Sequence, residues 1–350
     1  MRVIRSMEVS DEAQVGAVRR AVHAYAGGIG FTERELAEID IVVQEVGTNA
    51  ARYAAGGGQI HFTTTLDAEP GLEIFYTDRG PGIYDLDRVV RDGVSTGGSL
   101  GAGLGAVRRL MDEFEVYSTV QAVDRLASLA RRTTHGTALL LRKWTTHAAR
   151  LAEETRAGGG ARRIGVWTRP HPREDRNGDA CFVNQRAAQT LLAVVDGLGH
   201  GQGAHEASRV ALSVLAEWRG EGLEEIFRAA HAALRPTRGA VMGACLIDAA
   251  RGTFQYAGVG NIEVRVFNAP EPVRPISNNG TLGARMDKLR VWSFAWAEGA
   301  SAVLASDGVS ASWDMKDYPG LLQRSPQMLA GVLMRDYGRD TDDATVLVAR

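Results

Sequence analysis

Three consecutive glycines, in Ala157-Gly-Gly-Gly-Ala161, interrupt the chain between a polar, helix-patterned stretch and the apolar run Ile164-Gly-Val-Trp167. Such a run neither sustains a helix nor fills a core; it behaves as a flexible connection. Apolar segments lie on both sides of it, and 350 residues exceed what one core ordinarily organises. The chain therefore reads as a first domain over 1–144, a linker over 145–162 and a second domain over 163–350.

Composition narrows the classes. Apolar residues make up 45% and charged residues 23%, as in soluble globular proteins. A net charge of -2 gives no electrostatic ground for binding nucleic acid or an anionic membrane. No segment has the roughly 18–20 apolar residues of a membrane span, and Met1-Arg-Val-Ile-Arg5 opens no signal peptide. Cys181 and Cys245 sit in apolar contexts and read as core thiols rather than a disulfide. The expectation is a cytoplasmic protein without nucleic-acid or membrane partners.

Hydrophobic periodicity predicts an α+β fold in both halves. In the first, a strand over 3–9 precedes a helix over 11–26 with Val15, Val18 and Val22 on one face. Thr32 and Glu35 form a capping-box start for a helix reaching about Tyr53. Strands at 60–66 and 72–77, a glycine-rich loop over 79–103, a helix over 104–114 and strands at 115–118 and 137–142 follow. In the second half, strands at 164–168, 180–185 and 190–195 lead to helices over 205–219 and 223–234. Five more strands, a helix over 326–337 and a strand at 344–349 complete it.

Glu45 and Asn49 stand four residues apart, on one face of the second helix. Asp78-Arg-Gly80-Pro-Gly82 closes a strand, and Gly101-Ala-Gly103 opens a helix. Each element has a use around a nucleotide. A carboxylate at a strand end accepts from an exocyclic amine. Glycines let backbone approach a ligand, and those before a helix present N–H groups to phosphate. An asparagine oxygen suits Mg²⁺ with phosphates, and a carboxylate one turn away can take the proton of an attacking hydroxyl. Singly these are ordinary turn and surface residues; their order and spacing point to a nucleotide site.

The segments Glu45-x-x-x-Asn49-Ala, Asp78-x-Gly80-x-Gly82, Gly101-x-Gly103 and Gly136-Thr137 resemble the N, G1, G2 and closing Gly-Thr boxes of GHKL ATPases. Asp92-Gly-Val-Ser-Thr96, Ser99-Leu-Gly-Ala-Gly-Leu104 and Arg109-Leu-Met-Asp-Glu-Phe-Glu115 resemble, more narrowly, the switch kinases of bacterial general-stress regulation, relatives of anti-sigma factor kinases. The resemblance implies a Bergerat α/β sandwich using ATP and Mg²⁺. It implies phosphorylation of serine or threonine on STAS-domain antagonist or scaffold proteins or anti-anti-sigma factors. Carried over, Asn49 is the Mg²⁺ ligand, Glu45 the base and Asp78 the adenine reader, with Gly80, Gly82, Gly101, Gly103 and Thr137 around the nucleotide. Residues 119–135 form a longer connection than the family's usual turn.

The second half places aspartates at strand ends: Asp179 after Asn-Gly, Asp196 after Leu191-Leu-Ala-Val-Val195, Asp307 after Ala302-Val-Leu-Ala-Ser306, and Asp342-Asp343 before Ala344-Thr-Val-Leu-Val. Asp-Gly alone marks a turn. Several such rims converging would make a site of hard oxygen ligands for Mg²⁺ or Mn²⁺, able to activate water and clamp a phosphoryl group. The motifs Gly178-Asp179, Asp196-Gly-x-Gly-His-Gly201, Ser306-Asp307-Gly and Asp342-Asp-x-Thr-Val resemble the SpoIIE-like branch of PPM-type phosphatases. That resemblance implies a β-sandwich flanked by helices and two Mn²⁺ or Mg²⁺ ions. Asp196 would bridge the two, with Asp179 and the Gly197 carbonyl on one ion and Asp307 and Asp342 on the other. Asp343 stands as the alternative to Asp342, which the doublet leaves open. Water would attack phosphoserine or phosphothreonine, with Asp196 and Asp307 central to catalysis. His200 and Glu174 read as locally bonded or solvated loop residues.

Together these features imply a bifunctional regulator of a sigma-factor or stress pathway: a kinase for a STAS-type partner fused to a phosphatase. Two alternatives keep the phosphatase and drop the kinase. The first domain would then sequester a partner in an ATP-dependent way, or sense ATP.

Overall fold

The computed structural model describes residues 4–54, 56–65, 70–90, 103–120, 135–146, 163–186 and 188–350. The segment Asp92–Thr96, Ser99, Gly101 and most of 119–135 and of the expected linker lie outside them. The chain divides into two compact units, Met1–Gly159 with Met315–Arg324, and Gly160–Asp314 with Ser325–Arg350.

In the first unit, strands β1 (Arg5–Val9), β2 (Gly58–Thr64), β3 (Gly71–Asp78), β4 (Glu113–Thr119) and β5 (Gly136–Trp144) form an antiparallel sheet in the order β1-β2-β3-β5-β4. Helices α1 (Glu12–Ile29) and α2 (Glu33–Tyr53) pack on one face. Val15, Val18 and Val22 of α1 and Ile39, Val42 and Val46 of α2 meet Ile60, Phe62, Leu72, Ile74 and Leu141 of the strands in one buried cluster. The period of 3.6 on the helices and of 2 on the strands both find their core.

Helix α1 runs three residues past the expected Ala26, through two glycines, and closes on Gly30 at φ 106°, whose N–H bonds Ala26 and Gly27. The capping box of α2 forms in both directions. Glu35 also accepts from the Thr146 backbone N–H at 2.9 Å and from its hydroxyl at 2.6 Å, so ordered structure of the first unit reaches Thr146.

The expected helix over 104–114 is shorter. Helix α4 covers Gly103–Leu110, after the short helix α3 (Leu86–Val90), and Glu113 already begins β4. Pairing of Phe114 with Leu141 across β5 and the 2.8 Å bond from Trp144 N to Asp112 Oδ2 draw the chain into the sheet. Tertiary pairing overrides the apolar spacing that suggested one more helical turn.

The second unit is a sandwich of two antiparallel sheets. One has the order β14-β10-β9-β8-β7, built from β7 (Asp179–Arg186), β8 (Gln189–Gly197), β9 (Ala240–Asp248), β10 (Thr253–Val259) and β14 (Trp292–Ala295). The other has the order β11-β15-β16-β6, from β6 (Ile164–Arg169), β11 (Glu263–Phe267), β15 (Ser301–Ala305) and β16 (Ala344–Ala349). A two-stranded pair, β12 (Gly280–Thr281) with β13 (Arg285–Met286), was not foreseen.

Strand β8 shows how one sequence serves two cores. Leu191, Ala193 and Val195 face the helices Gln202–Ala216 and Leu223–Leu234, while Leu192 and Val194 face the opposite sheet. Thr190 through Val195 are all buried because both faces of the strand are covered. The helix Pro326–Tyr337 covers β6 and β16. Its buried Gln327 accepts from Val166 N at 2.8 Å and donates to Val166 O at 3.0 Å.

Candidate functional sites

A cavity of about 390 Å³ opens in the first unit beside α2. Glu45, Asn49, Asp78, Gly82, Gly103 and Thr137 line it together with Tyr53, Tyr76 and Tyr84. Helix α2 supplies Glu45 and Asn49 because its buried face is occupied by Ile39, Val42, Val43, Val46 and Ala50, which turns the intervening polar positions toward the cavity. Gly80 does not line the cavity, and Gly101 lies outside the described residues.

Asp78, at the end of β3, is held by three donors. Oδ1 accepts from the backbone N–H of Gly80 at 2.7 Å and of Thr137 at 3.1 Å, and Oδ2 from the Tyr76 hydroxyl at 2.7 Å. Burial, and then the Asp78 charge, push the Tyr76 phenol well above its ordinary range, so Tyr76 stays a donor. Gly82 sits at φ 77°, and a Cβ there would come within 2.2 Å of Thr119 O. No other residue fits that conformation and approach.

Ser118 fastens this loop by accepting from Ile83 N at 2.8 Å, and its hydroxyl lies 3.1 Å from that of Thr137. The His135 ring reaches Gly80 O at 2.7 Å. Tyr76, Ser118 and His135 carried no motif. Only the period of two on β3, which sets Tyr76 and Asp78 on one face, could have flagged the first of them.

In the second unit the sheet rims bring the aspartates to one end of the sandwich. Asp179 and Asp196 stand directly opposite each other in the β7–β8 register. Asp307 follows β15 and Asp342-Asp343 precede its neighbour β16. A Cβ on Gly308 would fall 1.8 Å from Asp343 O, so glycine is what lets the Asp307 turn close on the doublet.

Asp179 is 1% exposed. Burial raises its proton affinity, Asp343 and Asp307 raise it further, and hydrogen bonds from Ser306 and Thr345 oppose both. Asp196 is raised by burial and by the charges of Asp179, Asp307, Asp342 and Asp343. Burial and mutual repulsion both disfavour the charged forms of these carboxylates, a cost that a cation held among them would relieve.

The doublet divides. Asp343 is 3% exposed, and its Oδ1 accepts from His171 N at 2.8 Å. Among the described residues its buried Oδ2 makes no hydrogen bond, although the Gly178 amide lies close to the carboxyl group. Asp342 stays at the rim, its Oδ1 accepting from Asp343 N at 2.9 Å. Asn261 donates to Asp307 Oδ2 at 2.8 Å.

Glu174 is not simply solvated. Its carboxylate meets His200 Nδ1 at 2.7 Å, and the His200 ring stacks on His171 with centroids 4.7 Å apart. Chain distance hid this pairing.

A hard divalent cation suits such a gathering of carboxylate oxygens, the buried Asp343 Oδ2 among them. Among the described residues no three His, Cys, Asp or Glu side chains are arranged as a ready metal cage. Magnesium sites ordinarily take one or two carboxylates and complete the shell with water.

Both cysteines are free: Cys245 is buried and Cys181 partly so. Among the described residues no helix is long and apolar enough to cross a membrane.

Comparison with known proteins assigns each half. Residues 9–126 match the histidine kinase-like ATPase domain family, and 186–350 match the stage II sporulation protein E (SpoIIE) family. The serine/threonine-protein kinase RsbT of Bacillus subtilis (strain 168) is 40% identical over 113 residues, which are 32% of this chain and 84% of that kinase. The phosphoserine phosphatase RsbX of the same organism is 26% identical over 135 residues, 38% of this chain and 67% of that enzyme. A solved structure from work on the bacterial stressosome, a modular system adapted to control secondary messenger signaling, superposes with a TM-score of 0.52 at 33% identity. It covers 55% of this chain and all of that one.

Proposed function

This chain belongs to the RsbT family of serine/threonine-protein kinases through its first domain and carries a SpoIIE-type PPM phosphatase domain after it, and from that premise we propose that it both writes and erases one regulatory phosphate. The first domain transfers the γ-phosphate of ATP to a serine or threonine of a STAS-type partner protein. The second removes phosphate from phosphoserine or phosphothreonine of that partner or of one bound to it. The observation that carries the reading is that one chain holds a cavity joining Glu45, Asn49 and Asp78 and, separately, a rim joining five aspartates.

In the first domain Asp78, fixed by its three donors, receives the exocyclic amine of adenine. Asn49 would hold Mg²⁺ through its side-chain oxygen, and Glu45, one turn away, takes the proton of the attacking hydroxyl. In the second, Asp179, Asp196, the Gly197 carbonyl, Asp307 and Asp342 would hold two Mn²⁺ or Mg²⁺ ions, with Asp343 directed inward beside them. Such ions supply Lewis acidity toward the phosphoryl oxygens and activate water when bound. Fusion keeps the two activities in fixed ratio and at high effective concentration on a shared substrate.

The test mixes purified protein with a STAS-domain protein, γ-labelled ATP and Mn²⁺, comparing wild type with Asp196→Asn. Label that persists on the partner in Asp196→Asn and is lost in wild type is the expected result. If neither form labels the partner although ATP binds, the kinase assignment fails, and partner sequestration or ATP sensing replaces it.

A further inference from the structure

Asp179 belongs to a closed circuit of hydrogen bonds. Its backbone N–H donates to Asn177 Oδ1 at 2.9 Å. Asn177 Nδ2 donates to Thr168 Oγ1 at 2.6 Å. The Thr168 hydroxyl lies 2.9 Å from that of Thr345, and the Thr345 hydroxyl bonds the Asp179 carboxylate. A second arm runs from Thr345 N to Ser306 Oγ at 2.9 Å and from the Ser306 hydroxyl to Asp179 Oδ2 at 2.6 Å. Asn177, Asp179, Ser306 and Thr345 are each no more than 4% exposed.

The direction of every proton in the circuit follows from the inventory of donors. A carboxylate only accepts, so Thr345 and Ser306 each spend their single proton on Asp179. Thr345 then accepts from Thr168, whose own lone pair takes the Asn177 amide. Each hydroxyl is used once as donor and once as acceptor, and the chain terminates on Asp179. Buried networks satisfied in this way are rigid, and one that is broken leaves polar groups stranded.

The circuit also spans the sandwich. Asp179 belongs to β7 of one sheet, while Thr168 lies on β6, Thr345 on β16 and Ser306 just after β15 of the other. It joins the two sheets at the rim that carries Asp196, Asp307 and Asp342.

We propose that Ser306, Thr345 and Thr168 are positioning residues for divalent-cation binding: they fix the Asp179 carboxylate and the spacing of the two rims so that the acidic cluster is preorganised. The proposal rests on the reading of Asp179 as a metal ligand, and the experiment separates the two.

Mn²⁺ affinity of the full chain is measured by titration calorimetry for wild type, Ser306→Ala, Thr345→Val, Thr345→Ser, Thr168→Val and Asp179→Asn, with the metal-free melting temperature of each. Loss of the hydrogen-bond partners that orient a ligating side chain typically costs a metal site about 10–100-fold in affinity. Ser306→Ala, Thr168→Val and Thr345→Val are expected to weaken Mn²⁺ by that order while still melting cooperatively. Thr345→Ser, which keeps the hydroxyl, is expected to bind within about threefold of wild type on the same scale. If the three hydroxyl-deleting variants that fold bind Mn²⁺ as wild type does while Asp179→Asn does not, the positioning role is overturned and the ligand reading stands. Undiminished binding by Asp179→Asn overturns the ligand reading itself. Should Thr345→Val fail to fold, Ser306→Ala and Thr168→Val decide on their own.

Discussion

A carboxylate's surroundings decide its work. Asp78 is immobilised by two amides and a phenol, so it presents a fixed acceptor and no donor. On the proposed reading, a purine with an amine at that edge would be received, and one with a carbonyl would meet lone pair against lone pair. Among the described residues Glu45 has no comparable clamp, and it lies on the cavity wall one turn from Asn49. Their variants should therefore fail differently. Asp78→Asn should weaken ATP by about 10–100-fold, as expected for a charged hydrogen bond lost, when titrated calorimetrically. Glu45→Gln should bind ATP normally and transfer phosphate about 10²–10⁴-fold more slowly. Equal loss of binding in both would contradict this division. The residues that the motifs name were legible in the sequence through their order and spacing, although each alone is an ordinary turn or surface residue. The residues that hold them, Tyr76, Ser118 and His135, were not, because an ordinary polar residue becomes informative only when folding brings its partner near.

At the scale of elements, capping and docking show what local signals can foretell. The Thr32–Glu35 box was readable from spacing alone, and it forms. Its extension to Thr146, 111 residues away, was not. Burial raises the Glu35 carboxyl, but the bonds from Thr146 and Thr32 outweigh it and hold it at about 2, below the ordinary 4.5. A depressed folded value stabilises above the unfolded one and is lost as pH falls through the folded one. Wild type should exceed Glu35→Gln in stability by about 1–3 kcal/mol above pH 5, a margin that disappears between about pH 4.5 and 2. Denaturant unfolding at a series of pH values measures it. A margin constant with pH would refute the assignment. On the second domain, Gln327→Ala strands both the N–H and the C=O of Val166 and opens a small cavity. A loss of about 2–4 kcal/mol is expected, read from the denaturation midpoint; a loss under about 0.5 kcal/mol, the range of an ordinary surface change, would show that this contact does not anchor the helix.

Across the whole molecule, the Gly158–Gly160 run and the change of pattern around it are the sequence's grounds for expecting two cores, and the chain divides into two compact units. Strand β8 was legible as a buried run, whereas the boundary of α4 yielded to sheet pairing that the local pattern does not contain. The circuit through Thr168, Asn177, Ser306 and Thr345 joins residues up to 177 positions apart and could not be seen before folding. One consequence concerns where the second domain opens first. The terminal pair of the β7–β8 ladder sets Asp179 against Asp196, and like charges directly opposite weaken a ladder. The hydrogen-bond circuit anchors Asp179 on the β7 side, so the Asp196 end of β8 should be the more labile of the two when no cation neutralises it, although its neighbours are as buried as any core strand. Amide deuteration at 194–197 should be the fastest within β7 and β8 in chelator and should slow most on adding Mn²⁺, while the middle of β8 changes little. Uniform slowing along both strands would instead describe global stabilisation. The rim would then act as the domain's own gauge of cation supply, reporting in strand breathing what the phosphatase reports in turnover.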